Sequence, residues 1–357
     1  MTSQPPPFPQ PPSGQLRFAW PPGSASGAGS MPGTDPLQAV RIVLDELPAL
    51  PYLPELPARG PGADLVGRTA ALLTGLPVET TPSGWRLALR PGRDLSRARA
   101  MLASDLDTLE EAAEGYQGPL KVQLCGPWTL AAALELPASQ DVALADHGAV
   151  SDLIQSLAES AAAHIADVGR RVPGAQLLLQ LDEPSLPAVL AGAVPTASGL
   201  RRLAAVGTGD ATEGLRAQFE STGADGIVHC CAGRPPFEVL TKSGARAIYI
   251  DLSLLRREDE DPLAEAAEAG LGLFAGAVTP GHNAPGHNER GEAEAIATRV
   301  IDLWRRLGLP AARTTGQVVI APACGLAGVS PERAAAVLRA CAEAARTLPE
   351  MIQEGSA

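Results

Sequence analysis

The sequence predicts an α/β protein built as a single (β/α)8 barrel of TIM type, with a hairpin inserted between its second and third strands. Three observations carry that expectation. Short apolar runs alternate with longer Ala/Leu/Arg-rich segments of helical character, which is the pattern of a parallel sheet with helical crossovers. Eight such runs occur, the number that closes a parallel sheet on itself. Polar residues gather at the ends of the runs, where barrel strands converge on one mouth.

Along the chain, residues 1–24 begin "MTSQPPPFPQPPSG". This proline content suits an extended or disordered tail, and the barrel is assigned to 25–357. The first runs are "AGSM" (28–31), "LPYLPEL" (50–56), "LKVQLCG" (120–126) and "QLLLQLDEP" (176–184). "GIVHCCA" (226–232), "AIYIDLS" (247–253), "LGLFAGAVT" (271–279) and "QVVIAPACG" (317–325) follow. Helices are expected at 95–114, 148–171, 196–222, 258–269, 289–307 and 331–347. The long 57–119 connection contains "VETTPSGWRLAL", which reads as a hairpin turning at Pro82-Ser83-Gly84, a flap near the barrel mouth. No internal repeat is visible.

A length of 357 residues with 45% apolar content suits one large barrel with a sizeable core. A net charge of −12 argues against a nucleic-acid or anionic-membrane surface. All but two of the 28 basic residues are arginine, which we read as genome composition. No apolar run approaches the ~20 residues of a membrane helix, and the N-terminus lacks the basic start and apolar core of a secretory signal. Five cysteines, odd in number and irregularly spaced, do not form a disulfide framework. A reducing cytoplasm is the expected location.

One stretch poses a chemical question. "GIVHCCAGRPP" places His229, Cys230 and Cys231 side by side at a run's end. A strand sends alternate side chains to opposite faces, so His229 and Cys231 share one face and Cys230 points away. Asp251 ends the sixth run and Cys324 the eighth. Together the four supply one nitrogen, two sulfurs and a carboxylate, a set that Zn²⁺ accepts tetrahedrally. Two thiolates and a carboxylate outweigh the charge of the ion. Such a zinc generates hydroxide poorly but hosts an electron-rich thiolate well, because coordination deprotonates a thiol of ordinary pKa ~8.5. Alkylation of a substrate thiol fits this set better than hydrolysis.

Each residue also has a plainer reading. A strand-end cysteine is often a small buried hydrophobe, His229 can be a core or capping histidine, and Asp251 can cap the segment that follows it. Cys125, Cys230 and Cys341 keep the buried-cysteine reading.

The motifs "GSMPGTDP", "LCGPWTLA", "LQLDEPSLP", "VHCCAG" and "PACGLAG" resemble those of the catalytic domain of cobalamin-independent methionine synthase, from about Gly29 to the C-terminal helix. The resemblance implies a zinc-dependent methyltransferase barrel that forms methionine from homocysteine. It makes His229, Cys231 and Cys324 zinc ligands, with Asp251 where the family has a glutamate. It also makes Ser30, Glu55 and Asp182 binders of the amino-acid part of homocysteine. The implied methyl donor is 5-methyltetrahydrofolate, or a methylated corrinoid carrier as in single-barrel relatives. The family's Asp-x-His proton-donor motif is replaced by "AVTPGHN", with His282 displaced by one place as the candidate catalytic acid. His282 and His287 can equally be solvated loop residues. Trp128 could stack on a pterin or pack in the core. Two further readings stand beside methyl transfer: a metal-free decarboxylase of the uroporphyrinogen decarboxylase type, and a barrel that binds zinc or a partner without catalysis.

Overall fold

A computed structural model describes residues 18–137, 139–281 and 289–354. In chain order the strands are β1 (Val78–Thr81), β2 (Gly84–Leu87), β3 (Gly118–Cys125), β4 (Leu134–Glu135), β5 (Ala175–Asp182), β6 (Asp225–Cys230), β7 (Ala247–Asp251), β8 (Gly272–Val278) and β9 (Val318–Pro322). The last six of the eight apolar runs each contain one member of a curled parallel sheet in the order β3-β5-β6-β7-β8-β9. Crossovers between neighbours include the helices Pro127–Ala133, His147–Arg171, Thr208–Thr222, Phe237–Lys242, Arg257–Glu268 and Glu289–Arg306. The fold is therefore mixed α/β with a parallel sheet curled into a half-barrel.

The first two runs form single parallel bridges rather than ladders. Just ahead of the first run Ala25 bridges Ile320 on β9, Ser30 in it bridges Glu55, and Tyr52 bridges Lys121 on β3. Backbone bonds support each one: Ser26 N to Ile320 O at 3.1 Å, Glu55 N to Gly29 O at 3.1 Å, and Lys121 N to Pro51 O at 3.0 Å. Proline limits the pairing. Pro51 and Pro54 lack the N–H that a ladder needs, and Pro32 ends the first segment.

The hairpin lies between these segments and β3. Val78 pairs with Leu87 and Thr81 with Gly84, so the turn is made by Pro82 and Ser83. β4 adds to β2 in parallel. Ser83 donates to Glu135 Oε1, and Arg86 Nη2 reaches Glu135 Oε2 at 2.9 Å.

Strand alternation separates two apolar layers. Leu178, Ile227, Ala247, Tyr249, Phe274, Val319 and Ala321 form an inner cluster with Trp20 and Leu50. Leu179, Leu181, Val228, Ile248, Ile250, Leu273 and Ile320 face the helices in a larger cluster. Trp20 belongs to the first twenty-four residues, assigned by composition to a tail, yet it is buried against Phe274 and its Nε1 donates to Gly316 O at 3.2 Å. An aromatic ring here covers Gly272, where a Cβ would stand 2.6 Å from the indole.

Helix boundaries follow the expected ones except at 196–222 and at the C-terminus. In 196–222 the helix begins only at Thr208. Gly199 at φ 70° and the Pro195–Arg202 bridge keep the preceding segment irregular. The C-terminal helix extends over Pro331–Glu354, past the expected end at 347, and buries Cys341.

Candidate functional site

β5 and β6 lie in a register that pairs Asp182 with His229 at their C-terminal ends. Both belong to the inner-facing parity, so their side chains meet. Asp182 Oδ1 lies 2.6 Å from His229 Nδ1, and both residues are buried. The imidazole leans on Tyr249, ring centroids 4.3 Å apart, and the Tyr249 hydroxyl donates to Pro322 O at 2.5 Å. His229 Nε2 is buried and has no hydrogen-bond partner among the described residues. A buried polar atom left bare is costly unless a ligand completes it.

Cys231, just beyond β6, and Cys324, just beyond β9, bring their Sγ atoms to 3.4 Å. That contact lowers the Cys324 thiol to about 6, with His229 and the Gly325 N–H adding to the effect and burial opposing it. The same contact, with burial second, pushes Cys231 up. A tetrahedral zinc holding two sulfurs at about 2.3 Å separates them by about 3.8 Å, close to the spacing here. Cys230 is fully buried and shares the parity of Val228, which faces the helices.

Ser30 lies against the same loop. Its carbonyl accepts from Leu326 N at 2.8 Å, and a Cβ added to Gly325 would collide with Ser30 Oγ. Through its bridge to Ser30, Glu55 joins the group. Burial raises Glu55 to about 7; Arg68 and Lys121 pull it down, and Asp182 and Asp105 push it up. Ser30, Glu55, Asp182, His229, Cys231 and Cys324 thus all lie at one end of the sheet.

Asp251 ends β7 at the same end, but its carboxylate is engaged elsewhere. Oδ1 accepts from Ser253 N at 2.8 Å and from Ser253 Oγ at 2.7 Å, capping the 3-10 turn Leu252–Leu254. Among the described residues, no three His, Cys, Asp or Glu side chains stand close enough together to grip a metal ion as they are. The donor chemistry and the bare Nε2 nevertheless fit zinc at His229, Cys231 and Cys324. His282 and His287 lie outside the described residues.

Three features surround the site, of which the sequence left the Lys121 network unread. Glu183, next to Asp182, accepts from Trp128 N at 2.9 Å, Thr129 N at 2.8 Å and Thr129 Oγ1 at 2.7 Å. It thereby ties the "DEP" segment to the "GPWT" turn, although burial raises its carboxyl to about 7. Trp128 packs in the core, buried and donating to Ala211 O at 2.9 Å. Beneath the site, Lys121 is fully buried; its Nζ donates to Gln180 Oε1 at 2.7 Å and Gln123 Oε1 at 3.3 Å. Burial lowers its ammonium to about 7, while Asp182 and Glu55 hold it up. The signal for Lys121, Gln123 and Gln180 was their parity in "LKVQL" and "LLQLD", which sets them on the face of Asp182.

No protein-family model matches the chain, and no curated protein matches its sequence. Solved structures share its fold. A B12-independent methionine synthase from Shewanella sp. W3-18-1, in complex with selenomethionine, superposes with a TM-score of 0.60 at 14% identity, covering 94% of this chain and 100% of that one. A methyltransferase from Methanosarcina mazei superposes with a TM-score of 0.52 at 14% identity, covering 91% of this chain and 87% of that one.

Proposed function

We propose that this protein is a zinc-dependent methyltransferase that transfers a methyl group to the thiol of homocysteine, forming methionine. The observation that carries the reading is two thiols 3.4 Å apart at the end of the sheet that also bears a buried histidine with a bare Nε2. The likeness in fold to a methionine synthase and a methyltransferase supports it. In this reading the two bridged segments close the curled sheet into a (β/α)8 barrel, with the β1–β2 hairpin as its insertion near the mouth.

His229, Cys231 and Cys324 would hold the zinc, and Asp251 would take the fourth position on releasing Ser253. Bound there, zinc would supply a site that keeps the substrate sulfur as its thiolate at neutral pH. The chain's own groups do the rest. Asp182 and Glu55 present carboxyl groups to the α-ammonium, and Ser30 offers a hydroxyl to the amino-acid end. Fixing that end aims the sulfur in line with the donor's methyl group, and such positioning supplies much of the acceleration. The donor is 5-methyltetrahydrofolate or a methylated corrinoid.

Elemental mass spectrometry of the purified protein, paired with a methyl-transfer assay offering both donors, tests the proposal. We expect about one zinc per chain, lost in Cys231→Ser and in Cys324→Ser but kept in Cys230→Ser. Equal loss in Cys230→Ser contradicts the ligand assignment. Zinc without turnover on either donor favours a binding barrel, and no zinc at all favours metal-free chemistry of the decarboxylase type.

A further inference from the structure

Lys121 and Lys242 are the only lysines in this arginine-rich chain, and Lys121 is fully buried on β3, the first strand of the parallel sheet. Ammonium and amine alike carry hydrogens enough to donate to both glutamine oxygens, and that donation fixes the direction of every bond that follows from it. Gln180 must turn Oε1 toward Nζ, 2.7 Å away. Its Nε2 therefore faces the other way and gives one hydrogen to Ala28 O and one to Asp182 Oδ1, each at 2.7 Å. A carboxylate only accepts, so His229 Nδ1, 2.6 Å from the same oxygen, must be the donor. A neutral imidazole with its proton on Nδ1 has a lone pair on Nε2, the atom found buried and bare. The second branch repeats the logic. Gln123 Oε1 faces Lys121, and its Nε2 donates to Leu53 O at 2.7 Å. The two branches pin the segments that bear Ser30 and Glu55.

We propose that Lys121 is a positioning residue that, through Gln180 and Asp182, holds His229 in the Nδ1–H tautomer and keeps Nε2 free as a ligand atom. The inference deepens the zinc-site reading and rests on it for the use made of Nε2; the tautomer itself does not depend on it. Without Lys121, Gln180 Oε1 becomes a buried acceptor lacking its donor, the amide re-aims, and Nε2 leaves Asp182. Partners behind a ligating histidine typically change metal affinity by about 10- to 100-fold.

The test uses the metal-free full-length protein at mildly alkaline pH, where two-bond proton–nitrogen correlations show which ring nitrogen carries the proton. The His229 signals are assigned by their loss in His229→Gln. We expect Nδ1–H in the parent, with a slowly exchanging downfield proton from the 2.6 Å bond. Lys121→Met and Gln180→Met should each broaden or lose that proton and populate the other tautomer. Val319→Ala, which trims the same inner cluster away from the line, should leave it intact. Zinc affinity, read by competition with a chromophoric chelator, should fall about 10- to 100-fold in the first two variants only. If Lys121→Met does not fold, Gln180→Met alone decides. An Nε2–H tautomer in the parent, or an unchanged Nδ1–H signal in the folded variants, overturns the inference whatever the zinc does. A parent that binds no zinc but shows the expected tautomer response sinks the methyltransferase reading and leaves this one standing.

Discussion

Replacing Glu183 should cost more stability than its position beside a candidate substrate ligand suggests. Its carboxylate is fully buried and accepts three hydrogen bonds. Two come from Trp128 N and Thr129 N, amides in the first turn of the helix Pro127–Ala133 that have no partner within the helix. In Glu183→Ala those amides are left buried and unpaired at about 1–3 kcal/mol each. The Thr129 hydroxyl can rotate, so we count two losses and expect about 4 kcal/mol. In Glu183→Gln an amide oxygen in the place of Oε2 still accepts from Thr129 N and Oγ1, and only Trp128 N faces the amide nitrogen. Half the loss, about 2 kcal/mol, should follow. Urea unfolding followed by tryptophan fluorescence would read both, with the midpoint falling and the slope unchanged. A loss below about 1 kcal/mol in Glu183→Ala would refute the view that these bonds hold the turn.

Other consequences follow from the same contacts. Gly126→Ala places a Cβ against the Glu183 carboxylate, so it should destabilise the protein on its own and add little to Glu183→Ala when the two are combined. His164 is lowered to about 4 by burial, with Arg68 adding and Asp167 opposing. The unfolded chain therefore binds a proton that the folded protein refuses between pH 6.5 and about 4. Stability fully present above 6.5 is lost through that window, on the order of 3 kcal/mol, and His164→Leu should flatten the acid limb of a midpoint-against-pH curve. Asp105 receives both Arg59 Nη2 at 2.7 Å and Arg68 Nη1 in a nearly solvent-free pocket. Asp105→Ala leaves buried guanidinium charge uncompensated and should cost about 3–5 kcal/mol in the same urea assay, whereas an unchanged midpoint would show that water reaches the pair.

What the sequence made legible and what it hid have the same physical source. Runs such as "QLLLQLDEP" and "GIVHCCA" carry strand, end and facing together, because alternation fixes which residues share a face. Asp182 and His229 are therefore visible as neighbours once the strands are adjacent. Cys231 and Cys324 become neighbours only through the curl of the sheet, since β6 and β9 are separated in it by β7 and β8. The first two runs look like strands by hydropathy, but Pro51 and Pro54 reduce the second to bridges, a backbone effect that hydropathy does not register. Asp251 shows the limit most plainly. Its strand-end place marks it equally as ligand and as cap, and only its contacts with Ser253 show which partner it has here. Lys121 alone in an apolar run gives no sign of its role, whereas two glutamines on its parity make it the centre of a network.

Under the proposed function, the site takes up a thiol and holds it as a thiolate. Calorimetry of homocysteine binding to the zinc-loaded protein, run in two buffers of different ionisation enthalpy, tests it most directly. A free thiol of ordinary pKa ~8.5 is mostly protonated near neutrality, so its capture should release about one proton. The electronic spectrum of the cobalt-substituted protein should change in step, and Asp182→Asn should weaken homocysteine far more than a simple alkyl thiol. Binding without proton release and without any change at the metal would contradict the claim.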